Sequence, residues 1–359
     1  MRLKEIYISG RVPYERGLQH GSQASEEIRR GCIEYRPAFE KKGYTWDEAR
    51  ELAMKFVPYL QQSMPDLMEE AKGIADGAKV ELSDVMVLNT RYELLKFKKD
   101  QDCHEPESQD AECTVYAVEP SASADKELYM GQNWDNSPFI GKNLYMLHID
   151  EQNGTKILEL TEPAQLCRSG MNNWGVGIAC ATLLSTKDNA NVTIPTNFMR
   201  RRLLQCKNME EASKCIAEFK PSVSLNYLIG SGKEGRAHVI ETNPEQNYII
   251  EASMGVLGHG NDFVGNPTID RFIPADSHFT RHFRGQRLAQ LLAAKRGNID
   301  VEHIMTCLKD HYGYPASICN HNPEDGLQTI ASTIYCLDKG YAYICWGNPC
   351  QNEYEKYVI

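Results

Sequence analysis

The 359-residue sequence has no long apolar run. No stretch approaches the ~20 apolar residues that a membrane helix needs. The opening Met1-Arg2-Leu3-Lys4-Glu5-Ile6-Tyr7 is too poor in apolar side chains for a signal peptide. A basic excess is also missing: the formal net charge is −10, whereas a nucleic-acid binder needs a basic face. The 12 cysteines include no Cys-x-x-Cys pair and are scattered, several inside apolar periodic stretches, as buried free thiols are. A reducing, cytoplasmic setting without a disulfide framework is therefore the expectation. No internal repeat, low-complexity tract or Gly-rich phosphate loop occurs, and His-Glu-x-x-His is absent. Cys103-His104 with Cys113 is a zinc fragment that lacks a fourth ligand. No metal site and no resident cofactor are expected.

What is present is ordinary globular material, 42% apolar and 25% charged. A short strand over 5–9 leads into a Gly/Pro-rich turn through Gly10, Pro13 and Gly17. The next ~90 residues read as helices. Thr45-Trp46-Asp47-Glu48 is a capping box. Pro65 suits the first turn of another helix, and Val85, Leu88, Tyr92 and Leu95 share one face of the next. Residues 96–112 are charged and polar and read as an exposed loop. After this break the apolar period falls from 3.6 to 2. Strands are predicted at 113–118, 128–133, 144–149, 156–160, 175–180, 224–230, 238–242, 247–252, 255–259, 329–337 and 341–346. Helices are predicted at 197–219, 284–295 and 301–310. Arg200-Arg201-Arg202 reads as a solvated helix face, with a coenzyme A phosphate as the functional alternative. Helices, strands, helices and strands in that order imply an α+β layered fold, two antiparallel sheets flanked by helices.

Cys113 stands at the head of a predicted strand, directly after the charged loop. Cleavage of the Glu112–Cys113 bond would give one residue both a thiol and an α-amine. Such an amine titrates near ~8, far below lysine, and acts as a general base at neutral pH. Nucleophile and base then belong to one residue. Asp135, followed by Asn136-Ser137-Pro138, resembles an exposed turn acid, but the preceding Trp134 argues for a packed position.

Cys113-Thr114 followed by Gly131-Gln132-Asn133-Trp134-Asp135 resembles the acyl-coenzyme A:6-aminopenicillanic acid (isopenicillin N) acyltransferase family. The stretches 67–77, 89–93, 314–321 and 329–334 are similar to it as well. The resemblance implies an N-terminal-nucleophile (Ntn) αββα sandwich made as a precursor. Residues 1–112 would be severed from 113–359 yet retained, giving a heterodimer within one domain, with higher homo-oligomers open. It implies Cys113 as nucleophile, Asp135 as an acid that orients the new amine, and the Asn261 amide as an oxyanion-hole donor. Two departures stand out. The penicillin-forming member has Asp-Gly-Cys at its cut, whereas this chain has Ala111-Glu112-Cys113. Glycine adopts the backbone angles that favour attack on its own carbonyl, and glutamate must be forced into them. Many relatives read Ile-Cys-Arg-His where Ile318-Cys319-Asn320-His321 stands, which removes an arginine that would meet an anion.

The leading expectation is a self-processing cysteine amidohydrolase acting on a small N-acyl amide through a thioester. Transfer of an acyl group from a coenzyme A thioester is the enzymatic alternative. An inactive relative that binds an acylated small molecule is the non-enzymatic one.

Overall fold

A computed structural model describes residues 2–97, 113–271, 279–322 and 326–359. Most of the loop expected over 96–112, the cut-site residue Glu112 and the Cys103-His104 pair lie outside the described residues. Strand β1 (Lys4–Ser9) opens the chain. Seven helices follow: α1 (Pro13–Gln23), α2 (Ser25–Glu34), α3 (Arg36–Lys41), α4 (Trp46–Met54), α5 (Val57–Ser63), α6 (Pro65–Ala78) and α7 (Leu82–Leu94). Next come β2 (Cys113–Val118), β3 (Tyr129–Asn136), α8 (Pro138–Gly141), β4 (Tyr145–Asp150), β5 (Lys156–Thr161), β6 (Ser169–Asn172) and β7 (Val176–Thr182). Helices α9 (Thr196–Leu204) and α10 (Met209–Glu218) precede β8 (Leu225–Ser231), β9 (Arg236–Thr242), β10 (Tyr248–Glu251) and β11 (Val256–His259). The chain closes with α11 (Phe279–Ala293), α12 (Val301–Leu308), β12 (Gln328–Cys336), β13 (Tyr341–Trp346) and β14 (Tyr354–Val358).

The strands form two sheets. One has the order β1-β4-β5-β6-β7-β8-β9-β10, the other β11-β2-β3-β12-β13-β14. Every pairing of these strands is antiparallel except β1 with β4, where the N-terminal strand joins the sheet edge in parallel register. The sheets face each other where β2 and β3 pack on β7. Helix α9 packs on β7, while α11 packs on β2 and β11. This is the expected αββα sandwich. All six residues of β2 are buried, and the two-residue period explains how. Cys113, Val115 and Ala117 join the core between the sheets. Tyr116 and Val118 join a separate cluster with Leu288, Leu292 and Ile304 under α11 and α12.

Three expectations need correction. Pro13 and Gly17 do not belong to a turn: Pro13 opens α1, and Gly17 and Gly21 lie inside it. The helix glycines allow close approach. A Cβ on Gly17 would sit 2.0 Å from the Glu70 carbonyl oxygen, and one on Gly73 of α6 would sit 2.1 Å from that of Tyr14. The helix expected over 197–219 is two helices, and the Asn208 side chain caps the second by accepting from the Glu211 N–H. The three arginines are not a solvated face. Arg200 and Arg201 are buried. Arg201 Nη2 lies 3.3 Å from Glu70 Oε1 and 3.2 Å from Glu151 Oε1, and Arg202 pairs with Asp66 at 2.6 Å. The capping box at Thr45 and Glu48 forms as expected.

The α1–α6 seam leaves no room for a methyl group. Gly73→Ala should cost about 1–3 kcal/mol, as overpacking does, measured as a shift of the urea unfolding midpoint. A midpoint equal to that of the parent would contradict the close approach.

Candidate active site

The site is assembled around the first residue of β2, at one end of the six-stranded sheet. Strand β2 starts at Cys113, which pairs with Trp134 of β3 and is fully buried. Its backbone N–H donates to Asn261 Oδ1 at 2.9 Å. Asn261 reaches it from just beyond the end of β11, the neighbour of β2 on the other side. Asp135, in β3, is fully buried, the packed position that Trp134 suggested. Its Oδ1 accepts from Thr329 Oγ1 at 2.6 Å and its Oδ2 from Arg284 Nη1 at 3.2 Å. The other end of the same guanidinium, Arg284 Nη2, donates to Asn261 Oδ1 at 2.9 Å. The three residues singled out in the sequence, Cys113, Asp135 and Asn261, are therefore brought together.

Asn261 is held at both ends of its side-chain amide. Two N–H donors meet its oxygen, and its Nδ2 donates to the Thr182 carbonyl at 2.9 Å. These partners fix which end is oxygen. The oxygen, not the amide N–H₂, faces the Cys113 nitrogen.

Arg168, Arg284 and Thr329 complete the arrangement and were not singled out for it in the sequence. Arg168 Nη2 lies 3.7 Å from Cys113 Sγ, and its guanidinium carbon sits 4.5 Å from the centre of the Trp134 ring. Its Nη1 is buried without a hydrogen-bond partner among the described residues. Burial pushes the Cys113 thiol above its ordinary value; Arg168 pulls it down and the Asp135 carboxylate pushes it up again. Burial thus outweighs the nearby guanidinium in its effect on this thiol.

Glu241 buttresses the segment that carries Asn261. His259 Nε2 lies 2.7 Å from Glu241 Oε1, with both side chains buried. Burial alone would lower the His259 pKa, but the Glu241 carboxylate outweighs it and the pKa is raised. A cavity of about 120 Å³ opens beside the site. It is lined by the rings of Tyr35, Tyr92 and Phe139, and reaches Asn136, next to Asp135, and Thr182, which holds Asn261. A larger cavity, about 510 Å³, lies along β1 and the C-terminal strand and contains none of these residues.

A family model described as acyl-coenzyme A:6-aminopenicillanic acid acyl-transferase matches residues 122–351, well over half of the chain. The chain belongs to this acyltransferase family. The match takes in Asp135, Asn261, Arg284 and Thr329 and begins shortly after Cys113. Among characterised members, the acyl-coenzyme A:6-aminopenicillanic-acid-acyltransferase 40 kDa form of Emericella nidulans is 26% identical over 336 residues, 90% of this chain and 86% of that one. Two solved structures are similar at lower identity. A Caenorhabditis elegans ortholog of N-acylethanolamine-hydrolyzing acid amidase is 15% identical with a TM-score of 0.45, covering 63% of this chain and 93% of its own. A mutant conjugated bile acid hydrolase from Clostridium perfringens is 17% identical with a TM-score of 0.41, covering 69% and 97%.

Arg284→Met removes the cation that lies against the buried Asp135 carboxylate. A stability loss of about 3–5 kcal/mol is expected, with Arg284→Lys recovering part of it in urea unfolding. The raised pKa of His259 gives a pH signature. Its contribution is fully present below the unfolded-state value of about 6.5 and is lost as pH rises through the folded-state value. The stability difference between wild type and His259→Gln should therefore shrink as pH rises from about 6 to about 9. A difference that is flat with pH would rule out the charged pair.

Proposed function

We propose that this chain is a self-processing cysteine Ntn enzyme that hydrolyses a linear amide of a small N-acylated molecule. The observation that carries the reading is the hydrogen bond from Cys113 N to Asn261 Oδ1. It holds the nitrogen that would become the new α-amine, on the same residue as a buried thiol that needs a base. Family membership agrees with acyl chemistry at this site.

In the precursor, Cys113 Sγ attacks the Glu112 carbonyl carbon. The C–N bond breaks, the nitrogen takes the thiol proton, and a thioester joins Glu112 to Cys113. Water then cleaves the thioester, leaving a carboxylate on Glu112 and a free thiol and amine on Cys113. In the mature enzyme the amine takes the thiol proton as sulfur attacks the substrate acyl carbon. The same proton passes to the departing amine when the tetrahedral intermediate collapses to a thioester acyl-enzyme. Water, activated by the α-amine, releases the acid.

Asn261 Oδ1 orients the amine. Arg284 sits on that oxygen and on Asp135, so its charge disfavours protonation of the nearby amine and holds it as the free base. Arg168 can do two things at once. Nη2 stabilises the thiolate, and the unpartnered Nη1 supplies a donor for the developing oxyanion. The Asn261 amide, which the resemblance gives to the oxyanion hole, is the other candidate donor. The cavity of about 120 Å³, lined by Arg91, Lys96 and Asn136 as well as by aromatic rings, suits a small acyl group that carries a polar function.

Hydrolysis is preferred to transfer from coenzyme A. Arg201 and Arg202, which offered a phosphate anchor, are bound to Glu70, Glu151 and Asp66 instead.

Intact mass and N-terminal sequencing test the scission. Wild-type protein should yield two chains, one beginning Cys-Thr-Val-Tyr, and Cys113→Ala should remain whole. Asp135→Asn should slow both processing and turnover of N-acyl amino acids. An active wild-type enzyme that stays a single uncut chain would falsify the Ntn reading. Release of free coenzyme A from an acyl thioester only when an amine is added would move the assignment to transfer.

A further inference from the structure

Linear spacing offers no metal site, yet folding brings four ligand-type side chains together. His311 follows α12, Cys319 and His321 lie in the segment leading to β12, and Cys350 sits in the turn between β13 and β14. Their ligand atoms all lie within 4.8 Å of one another. His321 Nε2 is close to all three of the others. It lies 3.2 Å from His311 Nε2, 3.3 Å from Cys319 Sγ and 3.2 Å from Cys350 Sγ. The two sulfurs are 3.6 Å apart.

A single proton on His321 Nε2 cannot serve three neighbours at once, but a cation between them can. Tetrahedral zinc, with Zn–S of about 2.3 Å and Zn–N of about 2.0–2.1 Å, has ligand-to-ligand edges of roughly 3.3–3.8 Å. The four separations above fall at or just under that range. A disulfide is a poorer account, because it needs sulfurs about 2.05 Å apart and leaves both imidazoles unexplained. Asn348 packs against the group, its Nδ2 3.5 Å from His321 Nε2. Its Nδ2 lies 3.7 Å from Cys319 Sγ and donates to the Asn320 carbonyl oxygen at 2.7 Å.

We propose that His311, Cys319, His321 and Cys350 form a structural Cys₂His₂ site for Zn²⁺. Four protein ligands close the coordination sphere, so the ion would hold structure and not activate water. It would tie the 309–322 segment to the β13–β14 turn. That segment also supports the candidate active site. Asn320 N donates to Thr329 Oγ1 at 2.9 Å, and Thr329 Oγ1 donates to Asp135 at 2.6 Å. The ligand set itself does not depend on the Ntn reading.

The test uses the full chain, purified without a polyhistidine tag, with metal content measured by mass spectrometry before and after zinc reconstitution and washing. Wild type should retain one zinc per chain, and Cys350→Ser and His311→Ala should lose it. His311 is exposed, so its replacement leaves the packing intact, and circular dichroism checks that the variants fold. Cobalt-substituted wild type should show a thiolate-to-metal charge-transfer band that is weakened in Cys350→Ser. Wild type that holds no metal after reconstitution overturns the proposal. So does undiminished zinc in both variants, or a Cys319–Cys350 disulfide in protein prepared under reducing conditions.

Discussion

The Arg284 guanidinium is the fixed point of this site. One end of it meets the Asp135 carboxylate and the other the Asn261 oxygen. Through those two contacts α11 is locked to β3 and to the segment after β11, on either side of the strand that Cys113 begins. A buried ion pair of this kind is weak evidence for stability, since desolvation offsets much of its attraction. Its value is in placement. The carboxylate, the amide oxygen and the Cys113 nitrogen cannot shift independently, because each shares a partner with another.

Charge around the thiol is braced in the same way. Burial opposes ionisation of Cys113, and Arg168 counters it from one side while resting on Trp134. Thr329 gives its hydroxyl hydrogen to Asp135 and takes the Asn320 N–H. The groups that hold Asp135 and Asn261 thus come from separate strands and helices. Such cross-bracing is what keeps a reacting geometry within the small tolerance that proximity effects demand.

Much of the fold could be read from the sequence, because the apolar period changes from 3.6 to 2 after the charged break and turn residues punctuate the strands. The reading failed where local signals had a different cause. Gly17 is turn-like in sequence but is a spacer between helices, and its reason is set by a partner that lies far along the chain. Arg201 looks solvated until Glu70, Glu151 and Glu159 arrive from other elements to receive the charge. At the site, Cys113, Asp135 and Asn261 were legible because they sit in motifs. Arg168 and Arg284 were not, because their roles depend on tertiary approach and neither has a neighbouring residue that marks it. The His311, Cys319, His321 and Cys350 group escaped for a related reason: the first three have no familiar spacing, and Cys350 joins them from a later segment. The chain does have one His-x-x-x-His spacing, at His278 and His282, but His278 lies outside the described residues and His282 is paired with Asp262 at 3.1 Å.

The parallel pairing of β1 with β4 has a further consequence. The first segment of the chain supplies an edge strand to a sheet otherwise made from the second, and the Leu3 N–H donates to the Tyr357 hydroxyl almost at the other terminus. A molecule opened ahead of Cys113 would therefore lose a covalent link without losing an assembly. Its two pieces would stay interleaved, and neither would keep a dry interior if produced alone.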